Sequence, residues 1–294
     1  MLFSIIVANY NNEFYLPELI KSIQDQTYSN WELIIVDDNS RNSPDNILKP
    51  FLEDFRIKYF KHNENLGVAA TFKTATDNSK GEIIGMLGAD DALTPTALQI
   101  MVDAHIKYPS ASLINSDCFW CDDKLKIIEK YKYYRALKPN EQLIRNLTIG
   151  SFATFKKIAY DKTDGFEPFF KKAVDHDIYL KLDEVGDLQY VNEPLYLYRS
   201  NPIGISQNQN GVNAAQFSLI AVGNAYKRRL GSPKYNIEKR EYLQLRKKWY
   251  LRELFFERED KKMSICLVKN ASTEIPLIWF NMTFIKFVMK IFFI

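Results

Sequence analysis

Two pairs of adjacent aspartates carry the strongest chemical signal in the chain: Asp37-Asp38 and Asp90-Asp91. Each pair follows an unbroken apolar run, and the second lies in the stretch MLGADDALTP, Met86 to Pro95. Two like charges in contact repel unless something positive sits near them. A hard divalent cation fits that need, because it keeps some of its waters and takes diphosphate oxygens as further ligands. Amides and an aromatic ring accompany the acids. Ala8-Asn9-Tyr10-Asn11-Asn12 ends one apolar run, and Asn63-Glu64-Asn65-Leu66-Gly67 precedes a helical pattern. Taken alone, each segment reads as a helix cap or a turn. Together, at strand ends, they read as a site suited to a nucleotide-sugar. Asp38 is expected to accept from a base N–H, and Tyr10 to lie against the base. Asp90 is expected to accept from ribose hydroxyls, and Asp91 to hold Mn2+ or Mg2+. Ala8, Asn9, Asn65 and Gly67 complete the expected nucleotide-sugar pocket.

These residues need a scaffold that brings strand ends to one rim. Apolar runs at Leu2 to Ala8, Trp31 to Val36, Arg56 to Phe60, Glu82 to Leu87 and Ala111 to Asn115 read as buried strands. Between them, helical spacing predicts helices over Phe14 to Gln26, Pro44 to Phe55, Val68 to Asn78 and Pro95 to Tyr108. Such alternation indicates an α/β fold with a mostly parallel, doubly wound central sheet flanked by helices. Ligands of open parallel sheets bind beyond the carboxyl ends of the strands, where the acids stand. Further on, strands are expected at Ile127 to Tyr134, Ser151 to Phe155, Leu188 to Val191 and Leu195 to Tyr198. Helices are expected at Asn140 to Leu147 and Asp175 to Val185. From about Val212 the chain reads as helical and increasingly basic. We therefore expect a nucleotide-binding part at 1–117, an acceptor-side part at 118–211 and a helical extension at 212–294.

Composition narrows the function. The 294 residues allow one large domain or two moderate ones, and a net charge of +3 gives no case for nucleic-acid binding. Three cysteines, Cys118, Cys121 and Cys266, suit a reducing compartment better than a disulfide framework. Cys118 and Cys121 form a C-x-x-C, but a polar turn follows where a redox motif opens a helix. The first residues have neither the basic region nor the small-residue cleavage site of a signal peptide, so a cytoplasmic protein is expected.

Beyond the acids, whole blocks are similar to a known family. SIIVANYNN, LPELIKSIQDQTYSNWELIIVDDNS, NENLGVAATFKTA, GEIIGMLGADD and LTPTAL resemble the inverting family 2 glycosyltransferases of GT-A fold, over roughly Leu2 to Ser206. The resemblance implies a nucleotide-sugar donor, a divalent cation and a hydroxyl acceptor. It places Asp38 at the base, Asp90 at the ribose, Asp91 at the metal, and Ala8, Asn9 and Tyr10 along the nucleotide pocket. It also implies an acidic general base, and in AVDHDIYLKL, Ala173 to Leu182, that position falls on Asp175. Asp175 equally suits the first turn of a helix. Three positions depart from the family pattern: Gly88 stands where the metal motif usually has an acid, Val174 replaces a common Glu, and Asn201 replaces a His.

The chemistry implied is a single displacement with inversion, one carboxylate taking the acceptor proton. Bacterial surface-polysaccharide synthesis, with a glycan or lipid-linked acceptor, is the setting that fits. Two other readings stand beside it. One is a non-catalytic nucleotide-sugar- or carbohydrate-binding relic of the fold. The other is a sugar-nucleotide nucleotidyltransferase, although ANYNNEFY lacks the glycine-rich basic loop such an enzyme needs. The apolar tail Ile275 to Ile294, interrupted by Lys286 and Lys290, reads as an interfacial helix rather than a spanning one. A membrane surface, a core face or a homodimer face would each suit it.

Overall fold

The computed structural model describes residues 1–294 except 132–133, 146, 151, 202–209, 236, 257–260 and 294. In chain order the strands are β1 (Phe3–Asn9), β2 (Trp31–Asp37), β3 (Ile57–Lys61), β4 (Ile83–Gly88), β5 (Ala92–Leu93), β6 (Ala111–Cys121), β7 (Ile127–Lys130), β8 (Ala153–Lys156) and β9 (Asp187–Arg199). The helices are α1 (Leu16–Gln24), α2 (Asp45–Leu48), α3 (Val68–Asp77), α4 (Ala97–Lys107), α5 (Lys157–Tyr160), α6 (Val174–Val185), α7 (Asn210–Arg229), α8 (Lys239–Phe256), α9 (Lys261–Glu274) and α10 (Met282–Phe293). The chain divides into two compact units, Met1–Ser218 and Leu219–Ile294.

The first unit is built on a nine-stranded sheet in the order β3-β2-β1-β4-β8-β6-β9-β5, with β7 attached to β6. Strands β1 to β4 run parallel, and β6 and β9 pair parallel. Strand β8 lies antiparallel between β4 and β6. The sheet is therefore mostly parallel, as the sequence leads one to expect. Helix packing on the sheet hides its central strands. The side chains of Phe3, Ile5, Val7, Leu33, Ile35 and Leu87 are buried with Leu16, Leu19, Ile20 and Ile23 of α1. Those α1 residues recur at helical spacing, and Pro17 sits in the first turn, where its missing N–H costs nothing.

Several expected boundaries move, each for a local reason. The helix expected over Pro44 to Phe55 is two pieces, α2 and a 3-10 turn at Phe51–Glu53, because Pro50 cannot continue the hydrogen-bond ladder. The helix expected at Asn140 to Leu147 is a single 3-10 turn, Leu143–Arg145. Leu188 to Val191 and Leu195 to Tyr198 join into the one strand β9. Pro194, between the two expected runs, falls opposite Asp117 at an irregularity in the β6–β9 register, the kind of place where a strand tolerates a proline. Strand β6 runs on past Asn115 to Cys121, which puts Cys118 and Cys121 on a strand as buried cysteines that share no disulfide. The expected strand Ile127 to Tyr134 is paired as far as Lys130; residues 132–133 lie outside the described ones.

The second unit has its own small core of Tyr250, Val268, Ala271, Ile275, Ile278, Phe284 and Val288. Its last segment is not one helix. A 3-10 turn at Pro276–Phe280 ends at Asn281, whose side-chain oxygen accepts from the Phe284 N–H (3.0 Å) and caps the start of α10.

Candidate active site

Register brings the polar strand ends together. Asn9 pairs with Asp37, and Ala8 pairs with both Val36 and Gly88. The carboxyl ends of β1, β2 and β4 therefore form one edge, and each acid pair starts there.

At the β1–β2 edge, Asp37 is structural. Its carboxylate accepts from the Asn9 amide (2.7 Å), the Ser40 hydroxyl and the Ser40 N–H (3.0 Å). Asn11 and Asn39 carry positive φ there, a conformation Asn tolerates better than most residues. Asn9 is fully buried with its amide turned to Asp37 and Ser40. Ala8 is half-buried and Tyr10 exposed on the same edge.

Asp38 is also buried, and it organises a loop. It accepts from the backbone N–H groups of Leu66 (2.9 Å) and Gly67 (2.8 Å) and from His62 Nδ1 (2.8 Å). A carboxylate has about four acceptor positions, and these donors take three of them. His62, which the sequence leaves without a partner, thereby ties β3 to this loop, and its other nitrogen meets Thr74 on α3. Gly67 opens α3 with φ 89°, a region closed to most side chains, and Asn65 is exposed beside it.

Asp90 and Asp91 occupy the turn between β4 and β5. Pairing of β5 with β9 carries that turn over to the far side of the sheet. Asp91 is buried, and its Oδ2 accepts from the Tyr196 hydroxyl (2.5 Å) while its Oδ1 accepts from the Arg199 N–H (2.8 Å). Burial, then the charge of Asp90, pushes the Asp91 carboxyl well above the ordinary carboxylate range. Tyr196 also accepts from the Gly88 N–H (3.0 Å). Asp90 is half-buried, and its Oδ2 accepts from the Asn201 amide (2.7 Å). Gly88 has a steric reason to lack a side chain: a Cβ there would lie 2.5 Å from Asp91 Oδ2 and 3.1 Å from the Tyr196 oxygen. The acid usual at that position would displace the Asp91–Tyr196 pair.

Arg199 is 2% exposed and fastens three elements. Its guanidinium donates to the Asp90 and Asp123 carbonyls and to Glu18 on α1 (2.6 Å), and it lies over the Tyr15 ring. Tyr196 was not legible as a partner of Asp91, since no local pattern links positions 105 residues apart. Neighbouring Cys121 is pushed up to about 11, chiefly by burial and then by Asp91 and Asp122, so it holds its proton at neutral pH. A further buried acid, Asp117 on β6, accepts from Tyr190 (2.5 Å) and pairs with Lys130 (2.5 Å).

Asp175 stands in the first turn of α6, half-buried, with no hydrogen bond or ion pair to any described residue. The frame around it is firm. Lys181 pairs with Asp177 (2.7 Å) and donates to the Gly165 carbonyl (2.8 Å), clamping the turn at Gly165-Phe166 onto α6. Ala173, just before the helix, takes a left-handed φ of 51°. His176 points elsewhere, to the Ser218 hydroxyl (2.8 Å).

The acids offer oxygen ligands of the kind a hard divalent cation takes. Asp90 and Asp91 are adjacent, and ionisation of Asp91 is opposed first by its burial and then by the charge of Asp90. A divalent ion would relieve that opposition. Among the described residues there is no cluster of three or more His, Cys, Asp or Glu that could hold a metal ion.

A model of glycosyl transferase family 2 matches residues 4–164. The chain belongs to this family. Chondroitin synthase of Escherichia coli is 29% identical over 195 residues, which is 66% of this chain and 28% of that protein. Hyaluronan synthase of Pasteurella multocida is 29% identical over 197 residues, 66% of this chain and 20% of that protein. This family 2 chain thus matches about a quarter of the length of such relatives. Among solved structures, Staphylococcus aureus TarS 1–349 in complex with UDP-GlcNAc superposes with a TM-score of 0.66 at 16% identity, covering 99% of this chain and 82% of that one. A mannosyltransferase from Pyrobaculum calidifontis in complex with GDP-Man and Mn2+ gives a TM-score of 0.58 at 13% identity, covering 98% and 83%. These likenesses show the GT-A fold.

Proposed function

We propose that the chain is an inverting glycosyltransferase that moves one sugar from a nucleotide-sugar, most simply a UDP-sugar, to a hydroxyl of a glycan or lipid-linked acceptor. Bacterial surface-polysaccharide synthesis is the setting. The observation that carries this reading is the Asp90–Asp91 turn, a buried and a half-buried carboxylate at the carboxyl end of β4. Support also comes from family membership and from the sugar nucleotides named in the TarS and mannosyltransferase structures.

In this reading, residues 1–117 hold the nucleotide. The base lies between Tyr10, Ala8 and the loop from Asn63 to Gly67, and the open position of Asp38 accepts its N–H. Asn9 acts from behind, holding the β1–β2 edge in shape. Asp90 faces the ribose. Asp91, with Asp90, would hold Mn2+ or Mg2+. Bound there, the ion supplies Lewis-acid charge to the diphosphate leaving group. Residues 118–211 form the acceptor side. The acceptor hydroxyl attacks the anomeric carbon as Asp175 takes its proton, and the carbon–oxygen bond to the diphosphate breaks with inversion. The absence of a described partner leaves both oxygens of Asp175 free for that task.

General-base help is worth about 10²–10⁴-fold. Asp175→Asn should therefore lose turnover by about that factor while binding donor as the native protein does. Native turnover in Asp175→Asn, measured with donor and acceptor together, would remove Asp175 from the mechanism.

A further inference from the structure

The second unit carries a surface that the transfer reaction does not use. Around the core formed by Ile278, Phe284 and Val288, the segment Pro276 to Lys290 turns large apolar side chains outward. Phe280 is 84% exposed, Leu277 72%, Met282 66%, Met289 50% and Trp279 44%. Scattered exposed apolar residues need no explanation, but five within thirteen positions do. On α10, Met282, Lys286 and Met289-Lys290 recur at helical spacing, so they share the face opposite buried Phe284 and Val288. Lys286 and Lys290 are both exposed, and Ile275 to Ile294 contains no Asp or Glu.

We infer that this face docks on an anionic lipid surface. Apolar residues with lysines and no acid on one exposed face are what a helix lying in a bilayer interface requires. Trp279 suits the headgroup level, where an amphipathic ring rests with its polar end in water. Asn281 caps α10 and fixes the Leu277–Phe280 turn ahead of it, so the apolar step and the helix form one continuous ledge. Among the described residues no helix is long and apolar enough to span a membrane, so the contact is interfacial. A second copy of the chain fits the face less well, since a two-fold contact would bring the same lysines toward one another without an acid to meet them. Nothing in this inference depends on the transfer chemistry.

Co-sedimentation of the full chain with phosphatidylglycerol vesicles and with phosphatidylcholine vesicles tests it. Near an anionic leaflet each lysine adds roughly five-fold to binding, so two should favour phosphatidylglycerol at least about 10-fold in low salt. Lys286→Glu/Lys290→Glu should abolish that preference. Leu277→Ser/Phe280→Ser should weaken binding to both vesicle types, with circular dichroism and melting unchanged from the native chain. No binding by the native chain, equal binding to both vesicles, or a dimer in sedimentation that the Leu277→Ser/Phe280→Ser variant disperses would each overturn the inference.

Discussion

His105 shows how one side chain links the fold to pH. It is buried on α4 beside Thr154 of β8, whose hydroxyl already donates to the Ile114 carbonyl. The ring must therefore donate from Nε2, and Nδ1 is left buried without a partner. Burial, with a smaller push from Lys156, lowers its pKa from the ordinary 6.5 to about 3. A lowered His pKa means that the neutral ring is the folded form. Its contribution is whole above pH 6.5 and is lost as the pH falls toward 3. At pH 5 that loss comes to about 2 kcal/mol, from 1.36 kcal/mol per pH unit. The chain has three histidines, so an NMR titration with His105→Gln as the assignment control resolves it. The His105 ring should stay neutral down to pH 5; a midpoint near 6.5 would contradict this account of the core.

At the level of elements, the candidate site depends on β9 more than on any strand that carries its acids. Tyr196 and Arg199 of β9 hold Asp91, and Arg199 also reaches α1 and the β6–β7 turn. A lysine in its place has one compact ammonium and no planar fork, so it cannot serve Glu18 and two backbone carbonyls together. Arg199→Lys should cost on the order of 1–3 kcal/mol, the cost of a buried polar group left unmatched. A melting curve should fall by several degrees and the donor KM should rise; unchanged values of both would show that the strap is dispensable. The sequence made β1 to β4 legible, because each is a short apolar run between turn residues. It hid the role of β9. Pro194 interrupts the strand pattern, β5 is two residues long, and the bonds from Tyr196 and Arg199 to the Asp90–Asp91 turn cross more than 100 positions. The acid pairs were visible as types and spacing. That Asp37 and Asp38 stabilise loops, while Asp91 is held from β9, depends on partners that only the folded chain brings near.

The whole molecule is two compact units. The sheet unit presents acids along one edge, and the helical unit presents an apolar, basic face. The departure at Gly88 acquires a physical meaning at this scale. The space left by its missing side chain admits the Asp91 carboxylate to Tyr196, and the cation site is expected to rest on Asp90 and Asp91 without a third acid. Isothermal calorimetry with UDP-, GDP- and dTDP-linked sugars, each with and without Mn2+, tests this most directly. At least one donor should give a heat that needs Mn2+ and disappears in Asp91→Asn. Binding that ignores Mn2+, or that survives Asp91→Asn unchanged, would contradict the account.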